Sequence, residues 1–491
     1  MSMPAEHLYT SPKLSELLNG FADAPAIELS GIASDSRKLG AGYLFLACGG
    51  ATSHGLDFVD DALKAGVAAI AYDATTAVTV PSVADVPLIA VDRLADRLGI
   101  IANRFFDSPS EQLSVVGVTG TNGKTTVAWL IAQCLQQLGK RCSYLGTLNH
   151  ELTTPPVIEL HECLAEFRDS GATDAAIEVS SHALDQDRVN GVHFDTVLFT
   201  NLSRDHLDYH ADMREYAEAK AKLFIDCNPE HRIINLDTEF GAQLAARCRQ
   251  EVTTVSTNFD RVSNGRLYVF LQAVVATKDG SEITVRSSWG EGRFRLSMPG
   301  DFNVANAVIV LALLLHKGVS MQHACDALSQ VEAPPGRMQR VRADDDKPAV
   351  YVDYAHSPNA IEVALRAVRA HCRGRLWIVF GCGGDRDTGK RSLMGQVAQR
   401  LADHVVVTSD NPRSESPTAI IDDIVAGLAS PQAATIIEER AAAIAWAIRH
   451  AAAADVVLIA GKGHEDYQEI DSERIPFSDY AIAVANLEVS E

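Results

Sequence analysis

The segment Leu113-Ser-Val-Val-Gly-Val-Thr-Gly-Thr-Asn-Gly-Lys-Thr-Thr126 passes from an apolar strand pattern through a glycine turn into a helix beginning Val127-Ala-Trp-Leu-Ile. Further strand-like runs at 175–179, 196–200 and 232–236 alternate with helical patterns, and each ends in a polar or glycine-bearing turn. That rhythm predicts a largely parallel sheet covered by helices. The glycines let backbone N–H groups face an anion, the helix N-terminus adds its dipole, Lys124 adds a point charge, and the Thr125 hydroxyl can reach Mg²⁺. Gly120, Thr121, Asn122, Gly123, Lys124, Thr125 and Thr126 are therefore the expected ATP contacts. The loop is a variant, since G-x-x-x-x-G-K-[ST] asks for glycine at 118, where Val118 stands; the glycines are Gly117, Gly120 and Gly123.

At 491 residues the chain is about three times a typical domain of ~150. Its grain changes accordingly. Residues 1–107 mix short apolar runs (68–72, 86–91) with turns at Gly40, Gly42, Gly49 and Gly50, which suggests a small α/β domain. The ATP-binding rhythm occupies 108–337. It restarts over 338–491, with strands expected at 349–352, 376–380, 405–408 and 456–460. Asp107-Ser-Pro109 and Ala333-Pro-Pro-Gly-Arg337 supply breakers at the two boundaries. In such α/β units the chemistry sits at the carboxyl ends of parallel strands.

Composition removes several classes of function. A net charge of −21 opposes nucleic-acid binding. Nine cysteines, an odd number without a C-x-x-C pair, suit a reducing compartment, and the cytosol is the expected location. The longest apolar run, 307–315, is too short for the ~18 residues of a membrane span, and Met1 to Gly20 lacks a basic start followed by an apolar core. The expectation is a chain neither exported nor inserted in a membrane, acting as a monomer.

The loop Val118-Thr-Gly-Thr-Asn-Gly-Lys-Thr-Thr126 resembles the phosphate loop of the Mur ligase superfamily, which includes folylpolyglutamate synthetases. Six more segments extend the resemblance in order along nearly the whole chain: Glu178-Val-Ser-Ser-His-Ala-Leu-Asp-Gln-Asp-Arg188, Asn201-Leu-Ser-Arg-Asp-His-Leu-Asp-Tyr-His210, Gly300-Asp-Phe-Asn-Val-Ala-Asn306, Pro335-Gly-Arg-Met338, Asp353-Tyr-Ala-His-Ser-Pro358 and Gly461-Lys-Gly-His-Glu465. Together they are similar to family members that add the third residue of the peptidoglycan stem to a UDP-muramoyl dipeptide. The resemblance implies three domains: an N-terminal one for the uridine nucleotide, a central ATPase, and a Rossmann-like C-terminal one for the incoming amino acid. It also implies the reaction, in which ATP phosphorylates the peptide carboxylate and an amine displaces the phosphate. Activating a poor electrophile before the amine arrives is sound chemistry in its own right.

Residue roles follow the same resemblance. Glu178, closing an apolar strand, offers the hard oxygen Mg²⁺ prefers. His206 resembles the family histidine near a second metal, with His210 nearby. Lys220, four residues before Phe224, matches a lysine carbamylated by CO₂, with Lys222 the competing position. The implied catalytic set is Lys124, Glu178, His206 and Lys220; the metal set replaces Lys124 by Thr125. Asn303 and Asn306 are implied near adenine, Arg337 near the phosphates, and Asp353 at the ribose or the hinge. Thr153, Thr154, Ser180, Gln186 and Arg188 match positions holding the muramoyl dipeptide. Ser34, Ser36, Gly50, Ala51 and Thr52 are the expected uridine diphosphate contacts.

For the acceptor, the loops at Gly383-Gly-Asp-Arg386, Ser409-Asp-Asn-Pro-Arg413 and Gly461-Lys-Gly-His-Glu465 are expected to meet at one sheet edge. Asp410, Asn411, Pro412 and Arg413 resemble the signature of members that add meso-diaminopimelate. That amino acid differs from lysine by a distal carboxylate, which Arg413 with Asn411 can bind, whereas lysine would leave the arginine unpaired. Arg386 is expected on the other carboxylate, with Gly461 lining the pocket and Glu465 and Asp410 taking the distal ammonium. An L-lysine-adding ligase, a folylpolyglutamate synthetase and a P-loop ATPase acting as a switch are the competing readings.

Overall fold

In the strand Tyr43–Ala47, Leu44 and Leu46 point into one buried cluster, while Phe45 and Ala47 point into another. A strand buried on both faces reads as a continuous apolar run and belongs in a parallel sheet. It sits in one, in the order Gly31–Ala33, Tyr43–Ala47, Ala69–Asp73, Leu88–Val91, all parallel. The helix Leu94–Phe105 adds Leu94, Ile101 and Phe105 to the first cluster. The computed structural model describes residues 12–50, 53–76, 79–81, 83, 85–262, 266–277, 280–341 and 346–488.

Two compact units make up the chain. One runs to Lys124 and includes Gly139–Arg232 and Ala246–Glu251; the other comprises Thr125–Leu138, Ile233–Ala245 and everything from Val252 on. Beyond the small sheet, the first unit holds the parallel strands Thr196–Phe199, Ser114–Thr119, Asp174–Glu178 and Cys142–Leu145 in that spatial order. The phosphate-loop strand Ser114–Thr119 is thus flanked by the strands that end in Glu178 and in Phe199.

The second unit contains the longest departure from the expected parallel rhythm among the described residues. Leu267–Thr277 pairs parallel with Val252–Ser256 and then antiparallel with Gly280–Ser287, which pairs antiparallel with Gly290–Leu296. Its last strand buries Phe294 and Leu296 while Arg293 and Arg295 face out, so no apolar run marks it. The run at 307–315 lies in the helix Asp301–His316, whose residues are buried nearly all round its circumference. Among the described residues no helix is long and apolar enough to cross a membrane.

The same unit carries a six-stranded sheet in the order Gln339–Val341, Ala349–Asp353, Val456–Ala460, Leu376–Phe380, His404–Val407, Ala434–Ile436, antiparallel only at its first strand. Alternation again makes two cores. Ile378 and Phe380 pack with Ile361, Leu365, Met394 and Ile420 from three helices on one face. Trp377 and Val379 pack with Ile444, Ala447, Ala483 and Leu487 on the other. In register, Asp353 pairs with Ala460, Ala460 with Phe380, and Phe380 with Val407, so the following loops leave together from one edge.

Behind that edge the first residues of the helices Arg440–His450 and Asp479–Glu488 form a fully buried ion pair, Arg440 Nη2 to Asp479 Oδ2 at 2.7 Å. The guanidinium also donates to the carbonyls of Ser409 (3.2 Å) and Ala460 (3.0 Å), fastening two strand ends to the last helix. Arg440→Met is expected to cost roughly 3–5 kcal/mol of unfolding free energy, because it strands a buried carboxylate. A urea titration showing a loss below about 1 kcal/mol, the value of an exposed pair, would contradict this.

Candidate active site

The phosphate loop turns on Gly120 (φ +147°) and Gly123 (φ +87°). A Cβ at Gly120 would lie 1.9 Å from Thr200 Oγ1, so backbone conformation and space both require glycine. The neighbouring strand's end holds the loop in shape. Thr200 Oγ1 donates to the Asn122 carbonyl at 2.6 Å, Asn122 N donates to Asn201 Oδ1 at 3.0 Å, and Thr121 N donates to the Asn201 carbonyl at 2.8 Å. Tyr216 donates to Thr121 Oγ1 at 3.1 Å, its own hydroxyl pushed up to about 12 by burial. Thr125 and Thr126 lie buried in the first turn of the helix Lys124–Gln137.

Two lysines converge on one carbonyl. Lys124 Nζ reaches Gly120 O at 3.0 Å and Thr121 O at 3.0 Å, and Lys220 Nζ reaches the same Gly120 O at 2.9 Å. Lys220 is buried on the helix Met213–Ile225, its nitrogen 4.4 Å from the Tyr216 ring centroid. Burial, and then the charge of Lys124, hold its ammonium well below the usual lysine range. Lys222 points elsewhere, toward Leu184 O and Asp185. His206 adopts a left-handed backbone (φ +52°), with its ring edge-on to His182 and Tyr216. Burial lowers its pKa, with Lys124 and Lys220 acting in the same direction. His210 is buried, and its Nε2 lies 3.0 Å from Ser181 Oγ.

Glu178 ends its strand with a buried carboxylate that accepts from Tyr144 Oη at 2.5 Å and Thr147 N at 3.0 Å. Among the described residues no three His, Cys, Asp or Glu side chains gather as a metal cage. The donor set suits Mg²⁺, which binds through one or two carboxylates plus phosphates and water. As an amine Lys220 is no ligand for such an ion; only a carbamate would give it oxygens.

The positions expected for the muramoyl dipeptide form a continuous group beside Glu178. Thr154 Oγ1 donates to the Glu178 carbonyl (2.8 Å) and accepts from Ser180 N (3.1 Å). Arg188 Nη1 donates to the Thr154 carbonyl (2.9 Å), and its Nη2 donates to Gln186 Oε1 (2.6 Å). Thr153 Oγ1 lies 3.2 Å from Thr147 Oγ1. In the small sheet Ser34 follows the first strand and, with Asp35, Lys38, Tyr43, Phe105 and Phe106, lines a cavity of about 700 Å³. Ser36 opens a short turn capped by Asp35, and Gly50 N bonds to Ser53 O at 2.8 Å. Ala51 and Thr52 lie outside the described residues.

In the second unit, Asn303 and Asn306 are buried in the first turns of their helix, and Asn303 Nδ2 donates to the Pro299 carbonyl. Arg337 lies over the Tyr354 ring at 4.7 Å. Asp353 accepts from Met338 N (2.7 Å) and Ala355 N (2.9 Å), so its carboxylate ties Met338 to the turn after its own strand; burial raises its pKa.

The three loops expected to hold the acceptor touch one another at one edge of the sheet. Asn411 Nδ2 donates to Glu465 Oε2 at 2.8 Å, and fully buried Lys462 donates to Asn411 Oδ1 (2.8 Å) and Glu465 Oε2 (3.1 Å). Gly461 (φ +121°) leaves room for Asp410, whose Oδ2 would sit 2.5 Å from a Cβ there. Pro412 is buried beside them and Arg386 is exposed, donating to Asp385 O at 3.2 Å. Arg413 (φ +51°) donates from Nη1 to Gly384 O at 2.8 Å. The expectation that Arg413 stands unpaired without a diaminopimelate carboxylate needs correcting, because Glu469 Oε2 lies 3.3 Å from its Nε. Lys462, Tyr144, Thr147, Thr200 and Asn201 have no role in the sequence reading; of these, Lys462 and Asn201 stood in the quoted motifs and Thr200 ended an apolar strand, while Tyr144 and Thr147 carried no signal.

Family models match the chain over 28–106 (Mur ligase family, catalytic domain), 118–314 (Mur ligase middle domain) and 336–463 (Mur ligase, glutamate ligase domain). A UDP-N-acetylmuramoyl-L-alanyl-D-glutamate--2,6-diaminopimelate ligase of Pseudomonas syringae pv. tomato is 46% identical, covering 92% of this chain and 94% of its own. The protein of the same name from Coxiella burnetii is 44% identical, covering 95% and 97%. A solved structure bearing that name superposes with a TM-score of 0.73 at 32% identity, covering 97% of this chain and 99% of its own. Gly120→Ala is expected to lower ATP turnover by about 100-fold or more, the scale for a loop displaced by an ångström; unchanged phosphate release would refute the loop's role.

Proposed function

The chain belongs to the Mur ligase family, and on that premise we propose that it joins meso-diaminopimelate to UDP-N-acetylmuramoyl-L-alanyl-D-glutamate at the expense of ATP. The reaction belongs to peptidoglycan precursor synthesis. The observation that carries the reading is the loop Asp410-Asn-Pro-Arg413 joined to Glu465 at one sheet edge, in a chain 44–46% identical to relatives named for this reaction. The family spans break where the linkers do, which supports domains of 1–107 for the uridine nucleotide, 108–337 for ATP and 338–491 for the amino acid.

The chemistry follows from placement. Lys124 and the backbone N–H groups of the loop bind the phosphates of ATP and stabilise charge moving onto the leaving ADP oxygen. Mg²⁺ held by Glu178 would neutralise the transferring phosphoryl oxygens. Arg188, Thr154 and Ser180 orient the dipeptide so that its terminal carboxylate oxygen attacks the γ-phosphorus, giving an acyl phosphate and ADP. With the distal carboxylate of diaminopimelate on Arg413 and Asn411 and its distal ammonium on Glu465, the amine at the other end attacks the acyl carbon; phosphate leaves, the amine gives up a proton, and the amide forms. Lys220 supports the same reading. With its ammonium disfavoured by burial and by the charge of Lys124, it more readily offers the lone pair that adds to CO₂, releasing a proton and leaving a carbamate whose oxygens suit Mg²⁺. The reading includes action in the cytosol, as a monomer.

Phosphate release with ATP, Mg²⁺ and the UDP-dipeptide tests the reading, comparing meso-diaminopimelate, L-lysine and no acceptor. Release with diaminopimelate, far less with L-lysine and none without an acceptor is expected. Release with lysine alone would replace the acceptor, and release with none would favour an ATPase. Lys220→Ala is expected to lose activity and to regain part of it with added short carboxylic acids; full activity without them would discard the carbamate.

A further inference from the structure

The acceptor pocket contains a carboxylate of its own. Glu469 lies on the hairpin Tyr467–Ile470 and Glu473–Pro476, and its Oε2 is 3.3 Å from Arg413 Nε. The two side chains keep 21% and 23% of their surface exposed, so the pair lies within reach of an incoming ligand. Its placement does not depend on the charges: Arg413 N donates to Glu469 O at 3.0 Å, and Asp471 N donates to Arg413 O at 2.9 Å. Glu469 N also donates to Asn411 Oδ1 at 3.0 Å, which ties the hairpin to the other pocket wall. Of the neighbouring cations, Lys462 is paired with Glu465 and Arg440, behind the edge, with Asp479, while exposed Arg386 donates to the Asp385 carbonyl.

We propose that Glu469 is a specificity-determining residue whose carboxylate occupies Arg413 in the empty pocket and competes with the distal carboxylate of the incoming amino acid. The inference rests on the reading of Arg413 given above and deepens it. An acceptor with a distal carboxylate must displace Glu469 or share the guanidinium with it, which weakens its binding. An acceptor lacking that carboxylate leaves Arg413 still paired, so the penalty for lysine is smaller than a bare arginine would impose. Glu469 therefore lowers affinity for diaminopimelate and softens discrimination against lysine.

Glu469→Gln tests this with little risk to folding, since it is isosteric and both backbone bonds to Arg413 persist. The expected result is a KM for meso-diaminopimelate lower by about three- to fivefold, the scale of a partly exposed ion pair. The kcat and the KM for ATP should be unchanged, and kcat/KM for L-lysine lower. In an Arg413→Met background the same change should leave kcat/KM for diaminopimelate unaffected. A raised or unchanged KM for diaminopimelate, or an equal effect in that background, would overturn the proposal. If the unaltered protein shows no diaminopimelate-dependent phosphate release, the proposed function itself fails, and this inference with it.

Discussion

Two cationic side chains, Lys124 and Lys220, share the carbonyl of Gly120 at 3.0 and 2.9 Å. Like charges so close in a buried place are unfavourable unless one gives up its proton or an anion joins them. The fold allows both answers. Burial makes Lys220 the one that gives up its proton more readily, and the glycine turn at the head of the helix Lys124–Gln137 is of the kind that accommodates an anion. Much of the first unit's architecture serves this arrangement: Thr200 and Asn201 fix the loop from the strand beside it, and Tyr216 fixes both Thr121 and the space over Lys220.

Parallel strands make that arrangement possible and repeat it in the second unit. Because successive side chains alternate between two cores, each strand is locked on both faces, and variation is left to the loops at the carboxyl edge. There the acceptor loops are joined by charge-assisted bonds among Asn411, Lys462 and Glu465. Lys462 fixes which way the Asn411 amide points, so that its nitrogen faces Glu465 and its oxygen faces inward. The buried Arg440 does similar work from behind, holding the Ser409 and Ala460 carbonyls at fixed separation.

What the sequence made legible follows from this physics. The runs 376–380 and 456–460 coincide with the strands Leu376–Phe380 and Val456–Ala460 because both are buried on both faces and bounded by glycine or charge. The run 232–236 is displaced by one residue from His231–Asn235, since Arg232 is itself buried and paired with the Phe224 and Pro229 carbonyls. The antiparallel strands Gly280–Ser287 and Gly290–Leu296 escaped notice because their inward residues are single and spaced by polar or charged ones. Site residues were legible where they closed an apolar strand or stood in a motif, as Glu178 and Arg413 do. Tyr144 and Glu469 were not, because each acts by spatial neighbourhood across 34 and 56 positions of chain.

Thr154 hangs two functions on one hydroxyl. Its single proton goes to the carbonyl of Glu178 while its lone pair takes the Ser180 N–H, and its own carbonyl takes Arg188. A shift of Arg188 or of the Ser180 amide is therefore carried through Thr154 to the backbone from which the Glu178 carboxylate projects.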